Sequence, residues 1–437
     1  MNGREAALQV LTACRKLDAW SDGSLKAAVK GLDRREAAFA TRLTYCVLQN
    51  RALLDFYIGA YCTQNFEKLE PFVRDVLRLG ACQILMMDRV PDSAAVSEAV
   101  DMVKRHKRQR AAGFVNAVLR KISQNKDSLP PIPADHIIQY LSIRYSHPEW
   151  LVERLVEILG RKQAEEFLRL DNEAVPMTIQ RNPLKCDREE LVRELEECGV
   201  SMREHPWLPD CWEVSGTGDL EQLSAFINGW FQVQDAAAKA AALAGGAKPG
   251  DAVLDVCAAP GGKTFACSMS MENTGSITSC DIHAHKLELI ERSAQRLGIT
   301  CLKTELADGR NNREEWNETF DLVVCDVPCS GLGIIRKKPD IRYKDPRALS
   351  GLPNVQKAIL ENACRYVKSG GVLLYSTCTI LPEENEGVVD SFLSSHTEFY
   401  KEPFCLAEGL EETNGALTLW PQRHGTDGFY LCRMRKL

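Results

Sequence analysis

The chain has 437 residues, 45% hydrophobic and 26% charged, a globular composition that excludes a disordered or fibrous protein and has room for two or three domains. No apolar run approaches the ~18 residues that span a bilayer, and Met1 to Leu17 mix Arg4, Glu5, Arg15 and Lys16 into their apolar positions, which excludes a signal-peptide core and predicts a cytoplasmic protein. Net charge is −6, but residues 1–140 carry 21 Lys and Arg against 15 Asp and Glu and the remainder 33 against 45, so a basic front on an acidic body keeps nucleic acid among the partners.

Residues 1–127 read as helices throughout. Val73, Leu77, Ala81 and Ile84 recur at helical spacing, as do Phe114, Val118 and Ile122. Pro91-Asp92-Ser93 marks a helix start that leads through Val96, Val100 and Val103. Lys104, Arg105, Lys107, Arg108 and Arg110 form the densest basic run. The three prolines within Ser128–Pro133 make the clearest linker.

Residues 134–234 read as a small α+β module. Helices are expected over Trp150–Leu159, Gln163–Leu170 and Arg188–Cys198, and strands over Met177–Gln180, Cys211–Val214 and Gly229–Val233. In residues 235–437, Asp235 is placed to cap an alanine-rich helix, Ala236–Ala244, that stops at Gly245-Gly246. Strands over Ala252–Val256, Ser276–Cys280, Asp321–Cys325 and Val372–Tyr375 then alternate with helices, which predicts a parallel sheet covered on both faces. The expected class is multidomain: an all-α N-terminal domain, a small α+β middle domain and a C-terminal α/β domain.

The first of those strands runs into Cys257-Ala258-Ala259-Pro260-Gly261-Gly262-Lys263-Thr264. A glycine turn after a first strand admits a ligand close to the backbone, and the next helix offers free N–H groups. A P-loop would need glycine where Cys257 stands, and Pro260-Gly261-Gly262 breaks a dinucleotide fingerprint. S-Adenosylmethionine has no phosphate and needs only backbone approach and acidic partners. Asp281 ends the second strand, placed for ribose hydroxyls; Asp308 follows the third, placed for an adenine amino group; Asp326 ends the fourth. One such aspartate is ordinary turn chemistry, but three at successive carboxyl ends beside a glycine turn predict a nucleotide-like cofactor. The expected contacts are Cys257, Ala258, Ala259, Pro260, Gly261, Gly262 and Lys263, with Asp281, Asp308 and Asp326.

The 17 cysteines follow no regular spacing and form no Cys-x-x-Cys, and His283 and His285 have no cysteine at finger spacing. Free thiols, mostly buried, and no metal site are expected. Most free cysteines are inert core. Cys329, in Asp326-Val327-Pro328-Cys329-Ser330-Gly331, and Cys378, in Ser376-Thr377-Cys378-Thr379, instead fall in polar loops on the cofactor edge. The residues alone do not say which of the two attacks a substrate.

Together, Cys257 to Thr264, Asp326 to Gly331 and Thr377-Cys378-Thr379-Ile380-Leu381-Pro382-Glu383-Glu384-Asn385 resemble the RNA cytosine-5 methyltransferases of the Sun/NOL1/NOP2 family over residues 230–437. Thr379 stands where many members have Ser. Val90 to Val100 and Phe114 to Ile122 are similar to the NusB-type RNA-binding domain. A NusB-like domain ahead of such a catalytic domain resembles the bacterial small-subunit ribosomal RNA methyltransferases. The resemblance implies a Rossmann-like class I methyltransferase domain using S-adenosyl-L-methionine. It also implies 16S ribosomal RNA as partner, naked or in a 30S assembly intermediate, with cytosine 967 as target and with no membrane or DNA.

By the same resemblance Cys378 is the covalent nucleophile, Cys329 assists breakdown of the adduct, Asp326 contacts the ring and Lys263 lines the pocket beside it. In the DNA enzymes the Pro-Cys cysteine attacks, which would give that role to Cys329; the family resemblance gives it to Cys378. The chemistry explains the need for a thiol. Carbon 5 of cytosine is a poor nucleophile until a thiolate adds to carbon 6, and the base must be unstacked to be reached. The basic run over 104–110, then Arg336, Lys337 and Lys338, and finally Arg181 and Arg310, are the candidates for phosphate contact. The competing readings are a transfer RNA cytosine-5 methyltransferase and a non-catalytic RNA-binding assembly factor. The second would lack Cys378 or the glycine turn, and both are present.

Overall fold

The computed structural model describes residues 2–17, 21–407 and 412–437. Packing sorts them into two units, residues 1–174 with 335–344, and residues 175–334 with 345–437. The first unit is helical: α1 (Gly3–Leu17), α2 (Ser21–Ala28), α3 (Arg34–Gln49), α4 (Arg51–Tyr61), α5 (Pro71–Met86), α6 (Asp92–Arg105), α7 (Gln109–Gln124), α8 (Ile137–Tyr145), α9 (Glu149–Leu159) and α10 (Arg161–Leu170). Asp33 starts α3 by accepting the Arg35 and Glu36 N–H groups. Helix α6 starts directly after Pro91, as its sequence predicts. The apolar stripes meet in one core built on Leu43, Leu54, Ile58, Leu77, Val103, Leu119 and Ile122.

Packing does not change at the prolines of 128–133. Helix α8 lies on α4, and α9 and α10 lie on α8. The first two of the three helices expected in the middle module therefore group with the N-terminal ones, because Leu151, Val152, Leu155, Phe167 and Leu168 are buried there. A composition break marks where the chain is irregular, not which neighbour its apolar faces find.

The second unit opens with β1 (Met177–Arg181), α11 (Arg188–Glu197), β2 (Ser201–Glu204), β3 (Cys211–Ser215), α12 (Ser224–Ile227) and β4 (Phe231–Val233). These strands form an antiparallel sheet in the order β2-β3-β1-β4. A reciprocal capping box between Asp187 and Glu190 begins α11. Ile179, Leu191, Leu195, Trp212 and Phe231 fill the core beneath.

The remainder comprises α13 (Ala236–Gly245), β5 (Ala252–Asp255), α14 (Gly262–Ser270), β6 (Ser276–Asp281), α15 (Ala284–Leu297), β7 (Leu302–Leu306), β8 (Phe320–Asp326), α16 (Pro346–Leu349), α17 (Leu352–Ala363), β9 (Val367–Thr377), α18 (Glu386–Ser395), β10 (Phe399–Lys401), β11 (Ala416–Leu419), α19 (Pro421–His424) and β12 (Phe429–Lys436). Asp235 caps α13 and left-handed Gly246 ends it. The sheet order is β10-β12-β9-β8-β5-β6-β7, with β11 on β12. Strands β5 to β9 pair in parallel. Alternate residues divide between two cores. Val253, Leu322, Val324, Val372 and Leu374 face α13 and α14, while Leu254, Val323, Cys325, Leu373 and Tyr375 face α17 and α18.

The expected α/β domain is thus present, with helices on both faces. The antiparallel strands β10, β11 and β12 were not anticipated. Strand β12 is buried on both sides, Phe429 and Leu431 in one core and Tyr430, Cys432 and Met434 in the other, so it shows no polar alternation to read. Among the described residues no helix is long and apolar enough to cross a membrane.

Candidate active site

From β5 the chain builds β6 and β7 on one side and then crosses to build β8 and β9 on the other. That reversal opens a crevice at the carboxyl ends of β5 and β8, where such sheets bind ligands. The glycine turn sits at its lip. Ala258 N donates to Cys280 O at 2.7 Å and Gly261 N to Ala258 O at 2.6 Å, which folds the turn tightly. The Ala259–Pro260 peptide is cis. Gly261 has φ 104°, and a Cβ there would run into the Phe265 ring, so both conformation and space require glycine. Helix α14 starts one residue later, leaving its first N–H groups at the crevice.

Beneath the turn lies a carboxylate that sequence reading missed. Asp255 is buried at the end of β5, with Oδ2 accepting the Thr264 hydroxyl at 2.7 Å. Its Oδ1 is buried without a hydrogen-bond partner. Burial first, and then nearby Asp326, push its carboxyl up to about 7 against the pull of the Thr264 hydrogen bond. Its position within a predicted strand hid it among core residues. The Cys257 thiol is pushed up by burial and by Asp255, so this residue serves the turn through its backbone.

The other aspartates differ in how far they are spent. Asp281 is buried at the end of β6, where Oδ1 accepts His283 N at 2.9 Å and Lys286 Nζ stands 3.6 Å from Oδ2. Asp308, two residues beyond β7, is gripped by Arg310 at 2.6 Å on Oδ2 and 2.9 Å on Oδ1. Those hydrogen bonds hold its carboxyl below the usual range. Asp326 accepts Lys263 Nζ at 2.7 Å on Oδ2 and the Ser376 hydroxyl at 2.9 Å on Oδ1. Lys263 is buried, with Nζ 4.8 Å from the centre of the Phe429 ring.

Cys329 and Cys378 meet, although 49 residues separate them, with Sγ atoms 3.2 Å apart. Both are half-buried. The hydrogen bond with Cys378, followed by burial, pushes the Cys329 thiol well up.

Glu384 and Asn385 hold both loops. Glu384 is buried, and its Oε2 accepts Ser330 N at 2.9 Å and Gln356 Nε2 at 2.8 Å. The Ser330 and Thr379 hydroxyls meet at 2.6 Å. Asn385 accepts the Thr377 hydroxyl at 2.6 Å and donates to Thr379 O at 3.1 Å. Gly333 N donates to Cys378 O at 3.0 Å, and a Cβ on Gly333 would overlap Gly428 O. Glu384 and Asn385 close the Thr377–Asn385 motif, but the sequence gives them no role, since their partners lie up to 54 residues away.

The basic candidates are less free than their sequence suggests. Arg181 is held by both oxygens of Asp210 at 2.8 Å, and Arg310 by Asp308. Arg336, Lys337 and Lys338, candidates for phosphate contact, fall in the 335–344 segment that packs with the helical unit, and none lacks a partner. In the basic run, Arg105 pairs with Glu5 at 3.0 Å, Arg108 with Glu70 at 2.7 Å and Lys104 with Asp101 at 3.6 Å.

Comparison with known proteins is consistent along the chain. A family model described as 16S rRNA methyltransferase RsmB/F matches residues 242–435, one for the NusB family matches residues 1–124, and one for an RsmF/B-like ferredoxin-like domain matches residues 147–221. The chain is 35% identical to the probable ribosomal RNA small subunit methyltransferase B of Bacillus subtilis, over 99% of this chain and 98% of the relative. It is 33% identical to the corresponding probable methyltransferase of Synechocystis, over the full length of both. The crystal structure of PH0851 superposes with a TM-score of 0.83 at 30% identity, covering 99% of this chain and 98% of that one.

Proposed function

The chain belongs to the RsmB/F family of S-adenosylmethionine-dependent ribosomal RNA methyltransferases, and from that premise we propose that it methylates carbon 5 of a cytosine in 16S ribosomal RNA through a covalent Cys378–cytosine adduct. The observation that carries this reading is the Cys329–Cys378 pair at 3.2 Å, braced by Glu384 and Asn385 beside the strand end that presents Asp326, which Lys263 of α14 meets at 2.7 Å. The target we assign is cytosine 967, in naked RNA or in a 30S assembly intermediate in the cytoplasm, and the NusB-like first domain supports a ribosomal over a transfer RNA substrate.

The residues present fit the cofactor. The crevice has a side-chain-free turn at Gly261-Gly262, helix N–H groups from α14 and a buried carboxylate at Asp281, and Asp308 lies beyond the neighbouring strand. When bound there, S-adenosylmethionine supplies an electrophilic methyl group. We assign Cys257 to Lys263, Asp281, Asp308 and Asp326 as the residues that hold it.

We assign Cys378 as the nucleophile on the family resemblance of its motif, with the Cys329 thiol 3.2 Å away. The Cys378 sulfur adds to carbon 6 and makes carbon 5 electron-rich. The Lys263–Asp326 pair borders the ring and supplies hydrogen-bonding groups to it. After methylation the carbon 5 proton leaves to a base, and the Cys378–carbon 6 bond breaks with Cys329 assisting. Cys378→Ala is expected to abolish methylation and any RNA–protein adduct. Cys329→Ala is expected to accumulate a methylated adduct that survives denaturing electrophoresis and disappears with RNase. An adduct from Cys378→Ala and none from Cys329→Ala would reverse the roles, and unchanged turnover in both would exclude the covalent route.

A further inference from the structure

A second cavity, of about 160 Å3, lies between α13, α14 and the ends of β1 and β4. Three buried glutamines, Gln180, Gln232 and Gln234, line it. Gln180 Nε2 donates to Gln234 O at 3.2 Å, which fixes the amide and leaves Gln180 Oε1 buried without a partner. Gln234 Oε1 accepts Gln232 Nε2 at 2.9 Å, which leaves Gln234 Nε2 buried without a partner. One acceptor and one donor therefore stand unmet in the wall of this cavity, each covered as the wall stands and each costly to leave without a partner.

The remaining wall suits the faces of a flat ring. Leu243, Met269 and Pro209 are apolar. Lys239 Nζ donates to the carbonyls of Pro209 and Asp210 and has a third N–H to spare; burial pushes it down to about 8. Phosphate is a poorer occupant, because the other cation of the cavity, Arg181, is already held bidentately by Asp210. The site is tied to the catalytic edge. A Cβ on Gly262 would stand only 3.2 Å from Gln234 Nε2, and Met269 lies six residues along α14 from Lys263, about 9 Å at helical rise.

We infer that this cavity receives an unstacked nucleobase of the RNA strand flanking the target cytosine, with its hydrogen-bonding edge on Gln180 Oε1 and Gln234 Nε2. The inference rests on the RNA-methyltransferase reading and extends it with a site that selects sequence or shape beside the target.

The test uses the full chain and a 16S ribosomal RNA fragment containing cytosine 967, with binding followed by fluorescence anisotropy so that methylation is not the readout. Gln180→Met removes the acceptor, and Ser270→Trp closes the cavity from an exposed lining position. Each is expected to weaken RNA binding about tenfold while S-adenosylmethionine affinity and the Cys378 adduct persist. In the wild type, an abasic substitution at one flanking nucleotide is expected to cause the same loss. That substitution should cost nothing further in either variant, the non-additivity of two groups sharing one contact. Wild-type affinity in both variants, or losses that multiply at every flanking position, would overturn the inference. Competition by cytidine or adenosine monophosphate with no sensitivity to abasic sites would also overturn it, in favour of a free nucleotide. If the binding pattern holds but no adduct forms, the cavity assignment stands and the covalent methylation reading falls.

Discussion

A cysteine nucleophile beside a second thiol works only while the loops carrying both stay in register, and Glu384 spans those loops. It holds a backbone N–H of the Cys329 loop and, through Gln356 Nε2, reaches Pro328 O at 3.0 Å. Glu384→Ala leaves the buried Ser330 N–H unpaired, at ~1–3 kcal/mol, and takes from Gln356 Nε2 one of its two acceptors. Thermal or denaturant unfolding is expected to show about 1–4 kcal/mol of destabilisation, with slowed adduct formation. Glu384→Gln keeps an acceptor and should recover at least half of both; equal damage from the two variants would mean the negative charge, not the bracing, matters. The motif around Cys378 was legible because thiol chemistry names its own residue type. The bracing role of Glu384 was not, since a glutamate followed by a helix reads as a surface residue until its partners are known.

At the scale of elements, the junction of α6 and α7 carries the basic run. Residues at a helix end are solvated by default, and charge there was read as a phosphate contact. Ion pairs with Glu5, Glu70 and Asp101 already occupy Arg105, Arg108 and Lys104, and Arg108 also lies 4.2 Å from the centre of the Phe72 ring. Such exposed pairs are worth ~0–1 kcal/mol, so phosphates can displace the acids but must compete with them. Neutralising all five basic residues is expected to reduce RNA affinity and to lower the slope of log K against log salt by about 1–3, less than the ~4–5 that five unpaired cations would give. Filter binding across a salt series measures this, with cofactor affinity as the control. An unchanged slope would make the run a solvated helix end. The element boundaries themselves were readable wherever capping chemistry is local, as at Asp235, Gly246 and Pro91.

For the whole molecule, the main departure is that residues 335–344 leave the α/β unit and pack with the helices. Buried Arg342 donates from Nη1 to Gln49 O and Ser146 O at 3.1 Å and to Asn172 Oδ1 at 3.0 Å. Beside it, His147 Nε2 lies 3.2 Å from Asp171 Oδ2, both fully buried. Burial pushes Asp171 up to about 7 from 3.8 and pushes His147 well below 6.5. A raised carboxyl stabilises the fold below its unfolded value and loses that stability as pH rises through about 7; a depressed histidine acts oppositely, losing stability as pH falls below 6.5. Asp171→Asn removes only the first effect. Its melting temperature relative to wild type is therefore expected to shift in the variant's favour by several degrees between pH 5 and pH 8, and a gap independent of pH would show that Asp171 is ionised in the fold across that range and that its carboxyl is not raised. By itself the sequence determined the fold class and located the glycine turn, the strand-end Asp281 and the two loop cysteines, because helical period, strand alternation and turn chemistry are local properties of residue type and spacing. Only the tertiary structure decided that Cys329 and Cys378 touch, that Asp255 lies beneath the glycine turn and Glu384 braces the cysteine loops, that α8 to α10 join the N-terminal helices, and that Arg181 and Arg310 are already paired. Those are properties of which surfaces meet, and burial and partner choice are settled by packing between segments far apart in the chain.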